Sequence, residues 1–151
     1  KKLLKEKGDF DQAIALFQEV MEIDRKTLGA NHPYVATRMN NLAWALVKKG
    51  DYKSAEELFG RALEIQRKTF AEKSWEIANT KLLLGACLKE EKKYPEAESL
   101  MLEAFPIIEK NFGIGHPRAQ AQDKRLVDLY EAWGKPDRAA TYKAMVKVEG
   151  K

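Results

Sequence analysis

Few residues in this sequence have the types and spacing that catalysis or metal binding requires. The two histidines, His32 and His116, are 84 residues apart, and each precedes a proline at a predicted helix start. Because a metal site needs clustered ligands, we interpret both as residues that pack where a loop meets a helix. The single cysteine, Cys87, lies on an apolar face without a nearby histidine to act as its base. We expect it to be a buried thiol in a reducing compartment.

Other candidate motifs are equally weak. Gly113-Ile114-Gly115 contains a lone GxG, which is common in linkers and does not by itself indicate a phosphate-binding loop. The acidic pairs Glu56-Glu57 and Glu90-Glu91 fall at the starts or ends of predicted helices, where solvated charge is typical. We therefore predict no catalytic residues, no metal site and no cofactor, and we predict that the protein is not an enzyme.

The elements that position the remaining candidates follow a repeat of 42 residues. The turn sequence Gly50-Asp51-Tyr52 has counterparts 42 residues away on either side. The four copies are Gly8-Asp9-Phe10, Gly50-Asp51-Tyr52, Lys92-Lys93-Tyr94 and Gly134-Lys135-Pro136. Apolar columns keep the same period, for example Ala13, Ala55, Ala97 and Ala139. A period of this length predicts a solenoid of stacked helix pairs.

Helix boundaries follow from apolar residues at spacings of three and four and from glycine and proline at the breaks. The predicted helices are 9–28, 33–49, 52–70, 75–91, 94–111, 117–133 and 136–148, and a half helix precedes them at 1–7. The predicted repeats are a partial one (1–30), two complete ones (31–72 and 73–114) and a capping one (115–151), all within a single domain 1–151. Pro106 lies inside a predicted helix, where it should kink or re-form the last turn.

The two ends of the array differ from its interior. The stripe Ala13, Leu16, Phe17, Val20, Ile23 and Leu28 should face the core, although only Leu3 and Leu4 are available to cover its upstream side. The sequence thus begins in the middle of a repeat, so we expect a parent protein that continues upstream. We also expect the uncovered apolar residues to mediate self-association through the N-terminal end. At the other end, Lys143 and Glu149 replace apolar residues, and Lys147 adds a further charge, so the last helix should face water.

Composition favours a helical, cytoplasmic protein. The 151 residues include 27 Lys and Arg against 23 Asp and Glu, for a net charge of +4. The basic residues are mixed with acids, as in Lys89-Glu90-Glu91-Lys92-Lys93, rather than gathered into a stripe, so we predict no nucleic-acid partner. No apolar run approaches the roughly 18 residues of a membrane span, so we predict no membrane partner.

The motif Leu42-Ala43, Gly50-Asp51-Tyr52, Ala55, Phe59 and Ala62 resembles the tetratricopeptide repeat. The segment His32–Lys68 resembles the 42-residue subclass found in kinesin light chains. This resemblance implies an all-α fold, a right-handed α-solenoid of antiparallel helix pairs. The closing segment Arg125–Ala140 and the segment Leu83–Leu88 are similar to the C-terminal repeats of bacterial serine/threonine kinases, although the sequence contains none of the kinase motifs.

The resemblance also implies a binding surface, because the first helix of each tetratricopeptide repeat lines a concave groove. The repeat pattern places in this groove Thr37, Asn40, Asn41, Trp44, Val47, Asn79, Leu82, Lys89, Lys124 and Asp128, with Ala86, Ala121 and Glu131 beside them and Leu83 and Arg125 at the flank. Asparagine can pair with a bound peptide backbone, and Trp44 with Leu82 could form an apolar pocket. Alternatively, Trp44 packs between neighbouring helices.

The lysines and asparagines of the carboxylate clamp found in some tetratricopeptide proteins are incomplete here, because Asn79 stands where lysine is needed. The leading hypothesis is therefore a scaffold that binds a protein or peptide ligand in the groove. The alternative is a regulatory or self-association module of a larger bacterial signalling protein, such as a serine/threonine kinase.

Overall fold

The computed structural model describes the backbone of residues 2–149 and the side chains of residues 8–146. These residues form seven α-helices, which confirms the predicted all-α class. They are α1 (Lys2–Leu28), α2 (Pro33–Lys49), α3 (Tyr52–Thr69), α4 (Trp75–Glu90), α5 (Tyr94–Phe112), α6 (Pro117–Ala132) and α7 (Pro136–Glu149). Among the helices so described, none is both long and apolar enough to cross a bilayer.

The helices form two compact units, one built from α1–α3 and the other from α4–α7. The boundary between the units falls between residues 72 and 73, where one predicted repeat gives way to the next. In the first unit α2 packs against both α1 and α3. In the second unit α5 packs on α4 and α6, while α6 also contacts α4 and α7.

The same turn joins α2 to α3, α4 to α5 and α6 to α7. At Gly50 the backbone is left-handed (φ 99°), and the amide of Asp51 donates to the Leu46 carbonyl over 2.8 Å. Lys93 and Lys135 make the equivalent bonds, of 2.9 Å to Leu88 and 2.8 Å to Tyr130. These are Schellman turns, which satisfy the last carbonyls of a helix. The middle turn has Lys92 at the left-handed position (φ 64°), where glycine is preferred.

The first copy of the turn sequence, Gly8-Asp9-Phe10, does not form a turn. Residues 1–7 were predicted to end a separate half helix before Gly8-Asp9-Phe10, but α1 runs through this segment without a break. A turn of this kind is stabilised when the helices on its two sides pack together. Continuing the helix instead gives each amide its usual partner four residues back.

Both histidines lie at helix starts, as predicted, and each also caps its helix. In both α2 and α6 the N-cap residue is histidine, and its Nδ1 accepts a hydrogen bond of 3.1 Å from the amide two residues later. Pro33 and Pro117 then occupy the first helical position, where a missing amide hydrogen costs nothing. Gly29 ends α1 with a left-handed backbone (φ 98°).

Each unit has an apolar core along its middle helices. Phe59 in the first unit and Met101 in the second are fully buried. Cys87 is buried too, which confirms its interpretation as a small core residue. Gly85 allows α4 and α5 to approach closely, because a Cβ there would lie 3.0 Å from the Met101 Cγ and 3.3 Å from the Ala97 carbonyl oxygen. The helix α5 continues past Pro106 to Phe112 rather than ending there.

The two ends of the array confirm one expectation and correct another. The side chain of Lys143, which shares a repeat column with Phe59 and Met101, is 52% exposed and pairs with Glu131 over 3.1 Å. On α1, however, Leu16, Ile23 and Leu28 were predicted to face the core and are 59%, 53% and 43% exposed. The reason is that α2 covers only one side of α1 within this unit. The side chains of Leu3, Leu4, Lys147 and Glu149 lie outside the described residues.

Candidate functional site

An accessible stripe runs along α2 in the first unit. Its members are Thr37, Asn41, Trp44 and Lys48, which lie on one helix face because they are spaced by four, three and four residues. Trp44 is half-buried, and the Lys48 Nζ lies 5.0 Å from the centre of its ring. The Thr37 hydroxyl donates a hydrogen bond of 3.3 Å to the Pro33 carbonyl. The hydroxyl oxygen can still accept a hydrogen bond from a ligand. The stripe therefore offers an aromatic face flanked by hydrogen-bonding groups and a cation.

The corresponding stripe on α4 in the second unit is more closely covered. Asn79 and Leu83 are half-buried, Ala86 is buried, and only Glu90 at the helix end is exposed. Lys89 lies next to this stripe, and its Nζ is 3.2 Å from a carboxylate oxygen of Glu90. We conclude that α4 offers a mainly polar surface with little area.

The stripe on α6 is more open and carries charge. Ala121, Lys124 and Asp128 are exposed, and Arg125 is half-buried beside them. Burial lowers the pKa of Arg125, while the neighbouring Asp128 raises it. The α6 stripe therefore includes a partly desolvated guanidinium with a carboxylate close to it. Because α4 and α6 pack together, the two stripes of the second unit belong to neighbouring helices.

Three residues of the predicted site lie under the surface instead of on it. Asn40 is 7% exposed, Val47 is 7% exposed and Leu82 is 5% exposed. The apolar pocket expected from Trp44 and Leu82 therefore has little accessible surface on the Leu82 side. Asn40 and Leu82 share a repeat column with Lys124, which is exposed. The columns of Thr37, Asn41, Trp44 and Lys48 are the more accessible ones.

Sequence reasoning missed Lys48, and it also missed two buried polar residues on α6. Gln122 and Asp123 are 0% and 2% exposed. A signal was available, because Asp123 shares its repeat column with Met39, which is apolar, and with Lys81, which is cationic. A column that changes from apolar to charged marks a position with a special environment.

Within the part of the chain that the structure describes, no group of histidine, cysteine or acidic residues is placed to hold a metal.

Two family models match the chain, and both describe the tetratricopeptide repeat. One matches residues 2–68 and the other matches residues 77–118. The matches therefore cover helices of both compact units. No curated protein matches the chain by sequence.

Similar solved structures come from repeat proteins related to kinesin light chains. One is a Podosopora anserina protein described as a kinesin light chain with nearly identical TPR-like repeats, at 25% identity and a TM-score of 0.79. The match covers 95% of this chain and 68% of that one. A point variant of the same protein gives the same values. BtubC (BKLC) from P. vanneervenii has a TM-score of 0.81 at 24% identity, and the match covers 98% of this chain and 58% of BtubC.

Proposed function

Because the chain belongs to the tetratricopeptide repeat family, whose repeats mediate contacts between proteins, we propose that it binds a peptide or partner segment on the first helices of its repeats. The binding residues are the accessible stripe of α2 in the first unit and the stripes of α4 and α6 in the second. The protein acts in this proposal as a scaffold without catalytic activity. Its ligand is a polypeptide, and it needs no cofactor.

The observation that carries this proposal is the stripe on α2. Trp44 supplies a flat apolar face that is only half-buried, and Asn41 beside it is exposed. An asparagine side chain can donate to and accept from a peptide backbone at the same time, and tryptophan is prominent among residues that dominate binding energy. An extended peptide with one apolar anchor over Trp44 would use both groups.

The test for the first unit begins with peptides selected from a displayed library against the wild-type chain. We expect Trp44→Ala to reduce the affinity for a selected peptide by about tenfold or more, as truncation of a central aromatic residue typically does. Leu28→Ala is the control, because Leu28 is a large apolar residue of the same unit that is 43% exposed but lies on α1. Equal affinities for the two variants would contradict the assignment of the stripe.

The second unit is tested separately by reversing a charge. Lys124→Glu on α6 reverses a charge of the proposed surface, whereas Lys110→Glu makes the same change at an exposed position on α5. We expect only the first to alter the affinity of a peptide whose binding involves α6, by about two- to fivefold at low salt. An equal effect of both substitutions would indicate general electrostatics rather than a site.

A second candidate function is self-association through α1. Leu16 and Ile23 are seven residues apart, so they lie on one face of α1, and both are more than half exposed. An apolar helix face of this kind commonly marks an association surface, and a second copy of the chain would present the same face in a two-fold arrangement.

Analytical ultracentrifugation of the wild-type chain and of the Leu16→Lys, Ile23→Lys double variant tests this candidate. A concentration-dependent dimer that the double variant abolishes would support it. Replacing Lys53 and Arg61, which are exposed on α3, by alanine provides a control at another surface. A wild-type chain that is monomeric at high concentration would refute the candidate.

A further inference from the structure

The start of α6 carries an arginine that two aromatic rings hold in place. The guanidinium carbon of Arg118 lies 4.9 Å from the centre of the Trp75 ring and 5.2 Å from the centre of the Phe112 ring. The two rings meet edge to face, with centres 5.7 Å apart and planes at 78°. Trp75 begins α4 and Phe112 ends α5, and we refer to these two residues as the aromatic corner. Arg118 therefore contacts both walls of this corner.

The backbone of Arg118 is fixed as well. Its amide donates a hydrogen bond of 3.1 Å to the Nδ1 atom of His116. The His116 ring in turn packs on Phe112, with ring centres 4.8 Å apart. Contact with aromatic rings is favourable for a cation, and it restricts the rotamers of a long side chain. The guanidinium is therefore positioned before any ligand binds.

The hydrogen-bond donors of this guanidinium are free. Arg118 is exposed, and among the side chains that the structure describes it has neither an ion pair nor a side-chain hydrogen bond. Glu76, which follows Trp75 in the sequence, does not pair with it. Arg38 and Arg138, by contrast, pair with carboxylates over 2.9 Å and 2.8 Å. Because a guanidinium on aromatic rings keeps its five N–H donors, Arg118 can still bind a planar acceptor.

We propose that Arg118 binds the carboxylate of an aspartate or glutamate in a partner protein. A carboxylate accepts two parallel hydrogen bonds from the guanidinium fork, and one guanidinium balances its single charge. A phosphate group would bring nearly two charges. Among the described residues no second cation lies over the aromatic corner. The single cation therefore favours a carboxylate over a phosphate.

A polypeptide is the expected source of the carboxylate because apolar surface lies in the same loop. Ile114, between Phe112 and His116, is 58% exposed. Arginine and tryptophan are prominent among the residues that dominate protein interfaces. A residue next to the acidic one can cover Ile114, whereas a small free acid would leave it in water.

This proposal rests on the proposed function in taking a polypeptide as the ligand, and it adds an acidic residue to what the ligand must carry. Arg118 is three residues before Ala121, so it lies one turn upstream on the side of α6 that carries the stripe. The acidic residue thus belongs to a ligand of the second unit. A peptide that binds only the α2 stripe of the first unit does not use this site.

The first experiment titrates the full chain with two small probes. N-acetyl-glutamate N-methylamide carries a carboxylate, and N-acetyl-glutamine N-methylamide has nearly the same shape without the charge. NMR spectra that correlate ¹H and ¹⁵N follow the Nε–H signals of the arginines at fixed ionic strength. We expect the glutamate probe to shift the Arg118 signal in a saturable way. The glutamine probe should leave the signal in place at the same concentrations, because it lacks the charged hydrogen bonds.

Arg61 is the internal control for the effect of the rings. It is exposed on α3, and among the described residues it contacts no aromatic ring and forms no ion pair. An exposed ion pair loses much of its energy to the ordering of two flexible side chains, whereas the aromatic corner has already ordered Arg118. We therefore expect the glutamate probe to bind Arg118 about fivefold more tightly than Arg61 in the same titration.

Two variants separate the effect of the rings from that of the charge. Phe112→Leu removes one ring but keeps an apolar side chain, and it should lower the affinity at Arg118 to that at Arg61. Arg118→Lys keeps the charge without the planar fork. It should weaken binding of the glutamate probe, measured on the amides of residues 118–120, by about threefold or more. Because Arg118 is exposed, Arg118→Lys decides the question if Phe112→Leu does not fold.

Four outcomes would overturn the proposal. The first is the absence of a saturable shift at Arg118, and the second is an equal response to the two probes. The third is equal affinity at Arg118 and Arg61, which would mean that the rings hold the arginine only as part of the fold. The fourth is unchanged binding in Arg118→Lys. The α6 stripe is tested by Lys124→Glu with selected peptides, so a failure at Arg118 is distinguishable from a failure of the proposed function.

Discussion

Three residues that share one repeat column offer a quantitative test of the packing within the two units. Phe59 and Met101 are fully buried, whereas the side chain of Lys143 is 52% exposed. Truncation of a buried Phe or Met to alanine typically costs about 2–5 kcal/mol, because apolar contacts are lost and a cavity remains. Lys143 loses only a solvent-exposed ion pair with Glu131, and such pairs contribute about 0–1 kcal/mol.

These energies translate into shifts of the urea midpoint. With a slope of about 2 kcal/mol/M, a loss of about 3 kcal/mol lowers the midpoint by about 1.5 M. A loss of about 0.5 kcal/mol, as expected for Lys143→Ala, lowers it by about 0.25 M. Circular dichroism at 222 nm follows the helices of all three variants under identical conditions.

The reasoning is refuted if Lys143→Ala costs about 2 kcal/mol or more, because α7 would then be covered by another element. A Met101→Ala variant that loses less than about 1 kcal/mol would contradict the packing of α5 against α4. Glu131→Ala serves as the control for the ion pair and should match Lys143→Ala.

Three further predictions concern the turns, a close helix contact and alkaline stability. Lys92→Gly should raise the free energy of unfolding by about 0.5–1 kcal/mol, because Lys92 holds a left-handed backbone that glycine adopts without strain; a loss in urea unfolding would contradict this. Gly85→Ala should lower the free energy of unfolding by about 1–3 kcal/mol, because its methyl group would overpack the contact between α4 and α5. Gly60→Ala, whose methyl group meets open space, should raise it by about 0.5–1 kcal/mol. Equal shifts in Tm for the two variants would refute the close contact at Gly85. Burial and the hydrogen bond to Glu98 raise the pKa of Tyr130 above its ordinary value of 10.0. The free energy of unfolding should therefore not depend on this group below pH 10 and should fall above pH 10, because the phenol ionises first in the unfolded chain. Tyr130→Phe should reduce that fall.

Local sequence signals were sufficient to predict most of the fold. Apolar spacing together with Pro33, Pro117 and the Gly50 turn placed six of the helices within about two residues of their observed bounds. The exception is α1, where the Gly8 turn sequence is present but the helix continues. A turn of this kind depends on packing between two helices, and the local sequence does not report whether a helix is available to pack.

The candidate site was less predictable because exposure is a property of the packed structure. Asn40 and Leu82 have the repeat positions expected of groove residues, yet both are buried. Lys124 occupies the same column and is exposed. The burial of Gln122 was not predicted at all, since it results from the packing of α6 against α5.

The most direct test of the proposed binding surface uses the three tryptophans as reporters. Trp44 lies in the α2 stripe, whereas Trp75 packs on Phe112 and Trp133 stacks with Tyr94. During titration with a library-selected peptide, NMR resolves one indole N–H signal for each. We predict that the Trp44 signal shifts while those of Trp75 and Trp133 stay in place. Saturable peptide binding that leaves the Trp44 signal unchanged would contradict the proposed function of the stripe.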